Sequence, residues 1–101
     1  MRGVEEMVEV LLEERETQPI HYYCLSIGSH RYDFTIVYSH QFFDKAMVVS
    51  MQAGKWALMC QEDIDNEEFW AERLGIVDVD IEDCKAFFKM VLNHKRVSDQ
   101  Y

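Results

Sequence analysis

The sequence predicts an α+β domain: a four-stranded antiparallel meander over residues 20–60, with an N-terminal helix and two C-terminal helices packed on it. Three observations carry this expectation. Between Ile20 and Cys60, short apolar runs alternate with turn residues at strand-like lengths. On either side of that stretch, apolar residues recur every three or four positions, the period of a helix with one apolar stripe. Helices and strands are thus segregated along the chain, the pattern of helices laid on an antiparallel sheet. With 101 residues there is room for one core, so a single domain over 1–101 is expected, with residues 97–101 frayed.

Taken in order, Val4, Met7, Val8, Leu11 and Leu12 stand at helical spacing, with Glu5, Glu6, Glu9, Glu13 and Glu14 between them. Thr17-Gln18-Pro19 ends that helix, because a proline pushes the residue before it out of helical backbone. Ile20 to Ile27 is the first strand and Gly28-Ser29-His30 its turn. In the second strand, Arg31 to Ser39, the residues Tyr32, Phe34, Ile36 and Tyr38 share the core face, opposite Arg31, Asp33 and Thr35. A loop over His40 to Asp44 leads to the third strand, Lys45 to Met51, and Gln52-Ala53-Gly54 turns into the fourth, Lys55 to Cys60. Both of these last strands are apolar on two faces.

Beyond the sheet, Asp65 is expected to cap a short helix, with Glu68 completing a capping box and Ile64 stapled to Phe69. Gly75 supplies the left-handed residue that closes it, and Ile76 packs back on its last turn. The same grammar repeats at Asp80, with Asp83 three residues on and Val79 meeting Cys84. Ile81, Cys84, Phe87, Phe88, Val91 and Leu92 then form one stripe, and Lys95 and Arg96 near its end complement the helix dipole.

The formal net charge is −9, and it is unevenly spread: residues 61–84 carry ten Asp or Glu and one Arg, whereas residues 20–60 carry three Lys or Arg and two acids. Such a field repels phosphate backbones and anionic lipid, so neither nucleic acid nor membrane is an expected partner. A basic protein surface is, with Glu67, Glu72 and Asp78 as the candidate acidic face. No run reaches the roughly 18 apolar residues of a membrane helix, and the acid-rich N-terminus is unlike a signal peptide, which points to the cytosol.

Cys24, Cys60 and Cys84 are odd in number and widely spaced, which predicts buried, reduced thiols. Catalytic signatures are missing from the pattern. His21 and Cys24 lie three apart in a strand and so point to opposite faces, which makes a poor metal grip. Asp63, Asp65 and Glu67 suggest a calcium loop only until its required glycine proves to be Glu68 and its last ligand Leu74. None of the four glycines stands in a phosphate-loop arrangement. The aromatic residues of the first two strands lack the basic groove a stacking platform needs. No cofactor is implied.

The runs Arg31-Tyr32-Asp33-Phe34, Phe42-Phe43 before Lys45, Gln52-Ala53-Gly54-Lys55-Trp56-Ala57 and Glu62-Asp63-Ile64 resemble a family of small cytosolic proteins of unknown function from Bacillus-type bacteria. The likeness covers roughly residues 24–92 and leaves out the N-terminal helix. It implies a bacterial cytosolic protein and contributes no catalytic residue. The expected function is a non-enzymatic interaction or regulatory module. A small-molecule binder or enzyme, using a pocket between the sheet and the C-terminal helices, is the alternative. A homodimer through the sheet is also expected, because three short helices cover one face and leave an apolar one; the competing arrangement puts the N-terminal helix on that second face.

Overall fold

The computed structural model describes residues 8–15 and 17–92. Four strands, β1 (Ile20–Ile27), β2 (His30–Tyr38), β3 (Ala46–Ser50) and β4 (Lys55–Met59), form one antiparallel sheet in sequence order. Three helices follow: α1 (Gln61–Ile64), α2 (Glu67–Trp70) and α3 (Ile81–Val91), with a 3₁₀ turn over Asp78–Asp80 leading into the last. Every connection within the sheet is a tight turn or short loop between neighbours, as a meander requires.

Among the described residues α1, α2 and α3 lie on one face, and β2 explains why. Its alternate residues Tyr32, Phe34, Ile36 and Tyr38 are buried there, joined by Ala46 and Val48 from β3 and by Ala57 and Met59 from β4. Against them α3 sets the predicted stripe, with Cys84, Phe87, Phe88 and Val91 buried, and Trp70 comes from α2. The rings interlock: Phe34 and Phe88 stand 5.4 Å apart, Trp70 meets Phe88 edge-on at 5.2 Å, and Tyr23 meets Phe87 edge-on at 5.0 Å. Polar tips inside the core are satisfied, the Tyr38 hydroxyl donating to Val91 O and the Trp70 indole N–H to Ile64 O.

The opposite face is uncovered among the described residues. Register places Ile20, Val37, Met47 and Leu58 in one row across the four strands, and Tyr22, Thr35, Val49 and Trp56 in the next.

Four expectations need correction. No helix forms over residues 8–15, which are irregular and exposed; the rest of the predicted helix, residues 4–7 and Glu16, lies outside the described residues. A helix of about ten residues is marginal in water unless its stripe is packed, and here Leu11 is 89% exposed. Asp65 does not cap α2. The chain enters α1 directly after β4, so the carboxylate of Asp63 takes the capping role, accepting from Cys60 N–H at 3.0 Å, and Asp65 falls at the end of that turn. Asn66 precedes α2 instead, and Phe69 is exposed and makes no staple. Val79 is likewise exposed and does not reach Cys84. Finally, Cys24 is exposed and Cys60 half-buried, leaving only Cys84 in the core. Position 24 has the parity of the uncovered face on an edge strand, which its apolar neighbours concealed.

Candidate functional site

The turn after α2 closes as foreseen. Gly75 is left-handed at φ 74°, its N–H donates to Glu72 O, and Ile76 N–H reaches back to Ala71 O, the paired bonds of a glycine-closed helix end. That reversal brings the chain past α2 a second time, so that Asp78, six residues beyond Glu72, faces the same groove. The groove is a cleft of about 410 Å³ lined by Glu67, Glu68, Ala71, Glu72, Ile76, Asp78 and Ile81.

Its floor is apolar, with Ala71 and Ile76 buried and Ile81 half-buried, and its rim is acidic. All three residues singled out from sequence are therefore brought together here, and Glu68 joins them. The sequence places Glu68 in a capping box; its i,i+4 relation to Glu72 is the signal that both line one face.

The four carboxylates are not equivalent. Lys85 donates to Glu67 at 3.1 Å, stands 3.7 Å from both Asp65 and Glu82, and is 16% exposed; the hydrogen bond to Glu67 raises its pKa. Glu67 is thus paired, with a lysine it shares with Asp65 and Glu82. Among the described residues Glu68, Glu72 and Asp78 have no ion-pair partner, and all are exposed. An apolar floor beneath unpaired carboxylates fits the stem and head of a lysine or arginine side chain, whose methylenes pack while the charge is met.

Elsewhere the chemistry is subdued. Burial, and then Asp80 and Asp83, push the Cys84 thiol up to about 12, so it is protonated and unreactive. Asp33, on the uncovered face, raises the exposed Cys24 thiol through a hydrogen bond. Between the sheet and the C-terminal helices the buried rings of Phe34, Trp70, Phe87 and Phe88 pack together. Among the described residues no three His, Cys, Asp or Glu side chains gather where a metal ion could sit. No helix among them is long and apolar enough to cross a membrane. A second cleft, about 370 Å³, lies at the sheet's end between Phe43, Lys45, Cys60, Gln61, Glu62 and Leu92.

Fold and site together define a small two-layer α+β domain that offers surfaces, an acidic cleft on one side and a bare sheet on the other. The chain belongs to the SAV0927-like family, whose model matches residues 11–90. That match spans the sheet, the cleft and nearly all of α3, and it assigns no activity. A search of curated proteins finds no match to the chain.

Proposed function

We propose that this member of the SAV0927-like family is a non-enzymatic interaction module of the bacterial cytoplasm that docks a basic segment of another protein in the acidic cleft. The observation that carries this reading is the convergence of Glu68, Glu72 and Asp78, all unpaired among the described residues, over the apolar floor of Ala71, Ile76 and Ile81. The surrounding stretch, residues 61–84, has ten acids against one base, which steers a cationic partner toward the cleft. The same charge disfavours nucleic acid and anionic membrane. An origin in Bacillus-type bacteria rests on the resemblance of the strand and turn motifs.

The test is capture of partners from native cytosol with the unaltered chain and with a Glu72→Lys, Asp78→Lys double variant, followed by association kinetics on whatever is retained. A cleft-docked partner should be lost from the variant, and its association rate should fall at least tenfold as salt rises from about 50 to 500 mM. Retention by the variant, or a salt-independent rate, would overturn the reading.

A further inference from the structure

We propose that the uncovered face of the sheet is where a second copy of this chain docks, the two sheets packing face to face about a two-fold axis with the apolar segment 8–12 of each completing the contact. The face has the anatomy of an interface. Val37, Met47, Val49 and Leu58 form an apolar centre, flanked on the edge strands by Ile20, Tyr22 and Trp56, the last 48% exposed. One end is rimmed by a polar cluster: Tyr22 and Gln52 donate to the Asp33 carboxylate at 2.9 and 2.6 Å, and Arg31 lies 3.3 Å from it.

Area decides what else must be buried. The strands are eight, nine, five and five residues long; at about 3.3 Å per residue and about 4.8 Å between strands, the face spans roughly 430 Å². A stable association of two proteins needs about 800 Å² per partner. Sheet against sheet therefore falls short, and the missing surface stands at the end where β1 begins and β2 stops. There Val8, Val10, Leu11 and Leu12 are all exposed, and Phe43, held at φ 55° where a bulky residue is rarely found, is 88% exposed.

Within one chain these surfaces do not meet. Gln41, in the loop beyond the end of the sheet, donates to Glu14, and Val8, Val10, Leu11 and Leu12 of the segment are 65–89% exposed. A two-fold partner joins them, because each copy brings both a face and a segment. Charge permits it as well. The strand region carries three bases and two acids, so the acids Glu9, Glu13 and Glu14 of the partner's segment meet a face that is not itself acidic, while the ten acids of residues 61–84 belong to the helices on the other side.

Light scattering or sedimentation equilibrium on the full chain at micromolar concentration tests this, with Val49→Lys on the face and Leu11→Glu, Leu12→Glu on the segment. The expected result is a two-chain mass for the unaltered protein and a dissociation constant at least tenfold weaker for each variant. Should Val49→Lys lose its far-ultraviolet circular dichroism, the leucine variant, which lies outside the sheet, decides alone. A single-chain mass for the unaltered protein overturns the proposal, as it would if the segment folded onto its own sheet. So does an undiminished dimer in either folded variant. The acidic cleft plays no part in this measurement, so its outcome and that of the partner capture are independent.

Discussion

Asp80 is a carboxylate that folding removes from water, only 4% exposed, and it is kept there by two groups from the start of β2. The Tyr32 hydroxyl donates to its Oδ2 at 2.6 Å and His30 Nδ1 lies 2.8 Å away, while Val77 N–H donates to the same Tyr32 oxygen. The residue that looked like a helix cap therefore ties the start of α3 to the sheet. Asp80→Ala should cost about 1–3 kcal/mol in urea unfolding, because the tyrosine hydroxyl loses its acceptor in a buried setting. Asp80→Asn keeps an acceptor oxygen and should cost less. The thiols separate at this scale too. In native protein treated with iodoacetamide, peptide mapping should find Cys24 modified well before Cys84, which reacts only once denaturant opens the core.

At the scale of elements, stability hangs on how the chain turns into and out of its short helices. Gly75 sits where a left-handed residue is required, and an added Cβ would stand 3.2 Å from Ala53 Cβ. Gly75→Ala should thus lower stability by about 1–2 kcal/mol, measurable as a lower thermal midpoint. Asp63 joins β4 to α1 and also accepts from Lys45 Nζ at 2.9 Å. Burial alone would raise its pKa, but the hydrogen bonds from Lys45 and Cys60 outweigh that and hold it below the ordinary value. Because the folded value is the lower one, this contribution is complete above the ordinary carboxylate range, near pH 4, and fades as pH falls through the folded value. Asp63→Asn should cost about 1 kcal/mol at neutral pH and flatten that part of the acid-unfolding curve.

For the molecule as a whole, the weight falls on the single aromatic layer between sheet and helices. Phe88, which touches Phe34, Phe87 and Trp70, is fully buried, and Phe88→Ala should remove about 3–5 kcal/mol, a large share of what a domain of this size has. Calorimetry would then show a broad, low-temperature transition or none. The two surfaces on either side of that layer differ in kind, one acidic and grooved, the other apolar and flat, so partner capture and self-association need not compete.

What the sequence determined by itself is the part set by local period and turn chemistry. Alternating aromatics fixed the inward face of β2, the stripe from Ile81 to Leu92 identified the face of α3, and Gly75 marked the end of a helix, because each is decided within a few residues. The N-terminal stretch departs from its helical period for the complementary reason. Periodicity says which side chains would share a face, but not whether they pack on a surface of the same chain, and residues 8–15 stay irregular and exposed. Tertiary structure alone decided the rest. It settled which of two apolar sheet faces the helices would cover, since β3 and β4 would have packed on either. By doubling the chain back at Gly75 it also set Asp78 beside Glu68 and Glu72, turning a scattered acidic stretch into one cleft.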